Sequence, residues 1–176
     1  MPVESTRCAP GAELVWRVSG GSFRSGYRYV LEDSAEQECA TVTYSHLGNL
    51  KRMSIATGQY RCRRGLGRKR DRIDVLDSTN GAFVAATNLG RNGTITAGNH
   101  PTLRIVFKGR RASAATMTVV DGHDRPAMTL SWSNASRSAR RPFPQGRAIL
   151  GETDLGDGLL IVVACLAFHA FAAACS

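Results

Sequence analysis

The chain has 176 residues, 43% of them hydrophobic and 21% charged, values of an ordinary globular domain that exclude a disordered or collagen-like chain despite 18 glycines. That length fits one domain with a single core. The 23 Lys+Arg outnumber the 14 Asp+Glu and give a formal net charge of +9, which favours anionic partners such as phospholipid headgroups or nucleic acid.

Residues 1–12 form an N-terminal extension, and 13–176 form the domain. Met1 to Gly11 contains no apolar run that could form the core of a secretory signal, so the expected location is the cytoplasm, peripheral to a membrane. Cys8, Cys39, Cys62, Cys165 and Cys175 are odd in number and widely spaced, with no CxxC and no His placed to suggest a zinc site. They read as reduced thiols rather than a disulfide framework or a zinc site.

From Leu14 to about Leu150 the pattern is that of short strands. Leu14, Trp16 and Val18 share one face and Val15, Arg17 and Ser19 the other. Ser19-Gly20-Gly21 and Ser25-Gly26 read as turns. Asp33, Glu36 and Glu38 then make an acidic tip, expected to balance a basic loop further on. Ala40, Val42 and Tyr44 alternate with Thr41, Thr43 and Ser45. His46, His100 and His123 fall in turn-like contexts.

Arg61 to Arg72 holds the strongest local feature, the cations Arg61, Arg63, Arg64, Arg68, Lys69, Arg70 and Arg72. A basic hairpin tip of this kind can pair with phosphates, to which guanidinium bonds bidentately, or simply be a solvated loop. No aromatic residues interleave with these cations, which disfavours nucleic acid. Cys62 in their midst reads as an exposed thiol whose pKa the arginines would lower. Lys108, Arg110, Arg111, Arg137, Arg140, Arg141 and Arg147 add further cations.

Leu103, Ile105 and Phe107 alternate with Arg104, Val106 and Lys108, and Met128, Leu130 and Trp132 with Thr129, Ser131 and Ser133. Asp121, His123 and Asp124 sit between these runs, and turn chemistry accounts for them better than a metal. Asn134 to Gly146, rich in Ser, Arg and Pro, reads as a loop. Turn signals every 8 to 12 residues or so predict an all-β sandwich or barrel of about ten strands.

The character then changes. Asp154 and Asp157 are each able to cap a helix, and Leu159 to Cys175 is apolar throughout except for His169. A helix of about 157–175 that is apolar on every side must be surrounded on every side, by protein or by lipid. Lipid would make it a C-terminal tail anchor holding a cytosolic β domain. His169 and the Ala-rich second half, Ala167 to Cys175, favour protein, with the helix as the plug of a closed barrel.

Many short antiparallel strands followed by a wholly hydrophobic C-terminal helix resemble the tubby C-terminal-like superfamily, which includes tubby domains, phospholipid scramblases and LURP-one-related proteins. The resemblance rests on Tyr27 to Ser34, Ile73 to Gly81, Met117 to Gly122 and Gly151 to Gly158, apolar strands closing in Asp and a turn residue. It spans about Leu14 to Cys175 and implies a closed antiparallel barrel of about ten to twelve strands enclosing the helix. It also implies a non-catalytic binding or scaffold module that engages anionic phospholipid headgroups. Scramblases carry an acidic, Phe- and Pro-containing segment before the helix that is proposed to bind calcium. Only Glu152, Asp154 and Asp157 stand here, so no calcium site, cofactor or catalytic residue is carried over.

Overall fold

A computed structural model describes residues 8–22, 24–66, 68, 71–89, 93–108, 116–132 and 145–175, and the side chains of all of these but Cys175. Among them, twelve strands form a closed barrel. They are β1 (Glu13–Ser22), β2 (Gly26–Glu32), β3 (Glu38–Tyr44), β4 (Leu50–Ile55), β5 (Gly58–Arg64) and β6 (Arg72–Asp77), followed by β7 (Phe83–Asn88), β8 (Thr94–Ala97), β9 (Leu103–Lys108), β10 (Thr116–Val120), β11 (Pro126–Trp132) and β12 (Gly146–Leu150). Each pairs antiparallel with the next, and β1 closes the ring on β12 with Leu14 opposite Ala148. The barrel leaves no free sheet edge.

Alternation sorts the side chains as the sequence implies. Leu14, Trp16, Tyr29, Leu31, Val42 and Met53 are buried inside, while Arg17, Arg28 and Arg52 face solvent. Outer-wall ion pairs such as Arg17–Glu32, 2.5 Å apart, are exposed on the arginine side and stabilise little.

The interior holds α1 (Asp157–Cys175), whose residues from Leu160 to Ala172 are buried throughout. Its first intrahelical bond runs from the Leu160 N–H to the Gly156 carbonyl at 2.9 Å. Neither Asp154 nor Asp157 is therefore the capping residue. Asp157 stands inside the first turn, where its charge complements the positive end of the helix dipole.

The helix is off-centre. It lies closest to β7, β8 and β4, where Ala85 and Ala97 let the backbones approach. Aromatic rings fill the wider gap on the opposite side. Trp16 is sandwiched between Tyr29 and Phe168, with both ring centroids 5.1 Å away. Trp132 stacks on Phe171 at 4.0 Å.

Two glycines serve this packing. Gly26 has φ +83°, and a Cβ there would run into the Tyr44 carbonyl oxygen. A Cβ on Gly146 would stand 2.8 Å from Trp132 Cε3, so glycine leaves the space for the ring that covers Phe171.

One expectation is corrected here. Ser19-Gly20-Gly21 is no turn: β1 runs through to Ser22, with a bulge between Val18 and Gly20. A bulge absorbs glycines as readily as a turn does. The loop expected over Asn134 to Gly146 lies mostly outside the described residues, and its end, Gly146, begins β12.

Candidate functional site

Antiparallel hairpins send alternate turns to opposite rims. At one rim, beside the helix N-terminus, the turns after β2, β6 and β10 are each closed by one aspartate. Asp33 accepts the N–H groups of Ala35 and Gln37, Asp77 those of Thr79 and Asn80, and Asp121 those of His123 and Arg125. Partial burial pulls Asp121 upward, but these bonds and the Arg125 side chain outweigh it and hold its carboxyl below the usual range. The acidic rim is thus turn chemistry. It includes Asp33 and Glu36, so the acidic tip stands at the opposite end of the barrel from the basic loop and does not balance it locally. Asp121 is likewise spent on the turn, to which His123 gives its backbone N–H, and Asp124 pairs with Arg104.

The other rim, at the helix C-terminus, is basic. β5 ends there in Arg63 and Arg64, the loop carries Arg68, and β6 leaves from Arg72, whose Nε is 2.7 Å from Asp74 Oδ1. The Gly65 N–H on the Arg72 carbonyl, at 2.8 Å, pins the base of this loop. Lys51 and Lys108, at the rim ends of β4 and β9, and Arg24 add charge to the same end. The last turn of α1 has no basic residue, so the cations facing its negative end come from the loops.

The sequence-predicted residues are therefore mostly brought together. Arg63, Arg64, Arg68 and Arg72 share the mouth. Arg61 sits higher on the outer wall, and its guanidinium reaches toward Gly81 at the acidic rim. Lys69 and Arg70 lie outside the described residues, as do Arg110, Arg111, Arg137, Arg140 and Arg141.

Cys62 is a correction. In β5 the interior face carries Tyr60 and Cys62, so the thiol points away from Arg61 and Arg63 and packs against the core. Burial pushes it up to about 12, the reverse of activation. Among the described residues, Cys8, Cys39, Cys62 and Cys165 are not in disulfides.

Two features escaped the sequence reading. Leu47 and Leu66 are 74% and 86% exposed, and both stand in loops at the basic rim. Each is the lone apolar residue of a polar turn next to glycine, a signal that periodicity ignores. The second is a cavity of about 350 Å³ at the same mouth, lined by His46, Asn49, Leu50, Arg64, Ile73, Leu89, His169 and Ala173 among others. Arg64 Nη1 donates to Asn49 Oδ1 at 2.9 Å across its wall.

His169 closes the floor of this cavity and stacks on Tyr44, with centroids 5.6 Å apart. Burial, with the Arg64 guanidinium adding to it, pushes its pKa down from 6.5 to about 4. The unfolded chain therefore takes up a proton near pH 6.5 that the folded one refuses until about pH 4. His169 burial contributes fully above pH 6.5, and the contribution falls by roughly 3 kcal/mol as pH drops to 4. Urea titrations across that window should show this loss in the wild type and a much flatter profile in His169→Phe. Parallel profiles would show that His169 is not the titrating group.

No family model, curated protein or solved structure matches this chain.

Proposed function

We propose that this protein is a non-catalytic binding module that docks the basic rim of its barrel on an anionic phospholipid surface. The observation that carries this reading is the coincidence, at one rim, of Arg63, Arg64, Arg68 and Arg72 with the two most exposed leucines, Leu47 and Leu66. Turn chemistry accounts for the acidic rim, but it asks for neither arginines nor leucines at the other. Cations near an anionic leaflet are worth about 1 kcal/mol each, and a leucine beside them adds apolar contact with the interface. The tubby C-terminal-like resemblance points the same way, since a barrel enclosing a C-terminal helix is the arrangement it implies. A barrel filled by its own helix leaves little room for an internal reaction chamber.

The second reading is α1 as a tail anchor. The helix is long and apolar enough to cross a membrane. Its burial from Leu160 to Ala172 supports the first reading instead.

Sedimentation with phosphatidylserine-containing vesicles tests the rim. Arg63→Glu combined with Arg68→Glu should weaken binding at low salt by about 10-fold to 100-fold, and Leu66→Ser by several-fold. Binding that ignores these substitutions would sink the assignment.

A further inference from the structure

We propose that the cavity behind the basic rim is a binding site for a single small amphiphilic anion, a molecule with one carboxylate or phosphate head on a short apolar body. This goes beyond surface docking, because the ligand is one molecule held inside the mouth and not a membrane laid across it.

Size is the first argument. A volume of about 350 Å³ lies at the lower end of small-molecule sites, which run from about 300 to 1,000 Å³. Chemistry is the second. Leu50 and Ile73 are buried and Leu89 half-buried, giving one apolar wall, while Arg64 brings a permanent positive charge to the same space. An apolar wall with one fixed cation selects a ligand with one anion and a hydrocarbon part.

Pre-organisation is the third. Asn49, which holds Arg64, is itself fixed in the turn after β3. Its N–H donates to Ser45 Oγ at 3.2 Å, and its carbonyl accepts the Ser45 N–H at 2.9 Å. The guanidinium is thereby oriented before any ligand arrives, which lowers the ordering cost of binding. His46 and His169 complete the polar lining, and the downward shift of His169 keeps it neutral near pH 7, able to hydrogen-bond without adding charge. The negative end of α1 opposes an anion here, but its roughly half charge is outweighed by the full charge of Arg64.

Calorimetric titration of the full chain with octanoate and octyl phosphate, both below their micelle concentrations, tests the proposal, with octanol and octylamine as controls for the head. One or both anions should bind saturably at one site, at least about 10-fold tighter than either control. Arg64→Gln should weaken that binding about 10-fold or more. Ala173→Phe, at an exposed helix position on the cavity wall, should abolish it by filling the space, with thermal unfolding confirming that each variant is folded. Anions that bind no better than octanol, or a folded Ala173→Phe that binds like the wild type, would overturn the site. Arg63→Glu with Arg68→Glu separates the two readings. Those residues do not line the cavity, so vesicle binding should fall while octanoate binding persists within a few-fold. Vesicle binding without any anion binding refutes the cavity alone, and anion binding without vesicle binding refutes the rim alone.

Discussion

A chain ending at Gly156 should fail to fold. Leu160, Ile161, Val162, Val163, Leu166, Phe168 and Phe171 are all buried against the barrel wall. At about 1.5 to 3 kcal/mol for each large apolar side chain, their loss comes to roughly 10 to 20 kcal/mol, while a domain of this kind has a net stability of about 5 to 15 kcal/mol. The truncation also leaves Leu14, Trp16, Met53, Met117 and Leu130 facing an empty or water-filled lumen, a further cost of the same sign. Circular dichroism and limited proteolysis of the truncated chain should show an unfolded or aggregating polypeptide. A soluble β domain with a cooperative melt would mean that the strands hold together without α1.

Phe168→Ala should be the most damaging small change in the helix. The ring lies nearly parallel to Trp16, which is itself stacked on Tyr29, so truncation opens a cavity at the helix end of a three-ring stack. The expected cost is about 3 to 5 kcal/mol, with a similar figure for Trp16→Ala. Because the two rings touch, the losses should not add: the double variant should be less destabilised than the sum by about 0.5 to 1.5 kcal/mol, the coupling of a stacked aromatic pair. Chemical denaturation of the four proteins measures this directly. Strict additivity would place the two rings out of contact and α1 elsewhere than against β1.

Much of the fold was legible because alternation and a long apolar run are local signals. Leu14/Trp16, Ala40/Val42 and Leu103/Ile105 point inward as read, and the run from Leu159 forms the enclosed helix. The helix could be read as a plug because Ala167, Ala170 and Ala172 suit close packing and His169 suits protein better than lipid. The two rims were harder to read, for a reason of parity. In a meander each turn reverses the chain, so one miscounted turn moves every later loop to the opposite end of the barrel. Counting Ser19-Gly20-Gly21 as a turn, when it is a bulge in β1, is such an error. Pairing the Asp33 tip with the basic loop is another error of the same kind, since single-sequence patterns do not say which end a hairpin occupies.

At Cys62 a charged neighbourhood in sequence is not a charged neighbourhood in space. In a strand, adjacent residues face opposite sides, and Arg61 and Arg63 are the neighbours that Cys62 does not face. The cavity was illegible for a different reason: it draws on the β3–β4 turn, β4, β5, β6, Leu89 just past β7 and the last turns of α1, brought together only by closure of the barrel. Asn49 and Arg64 are 15 residues apart with no motif joining them.

In the proposed function the apolar helix belongs to the barrel and the membrane is met by charge at the basic mouth. The most direct test incubates the full-length protein with phosphatidylserine-containing vesicles at low salt, then washes the pellet with high salt and with alkaline carbonate. Binding at low salt and release by the salt wash are expected, because exposed arginines are screened while a helix enclosed by twelve strands stays where it is. Protein that remains with the vesicles through carbonate would contradict it and place α1 in the lipid.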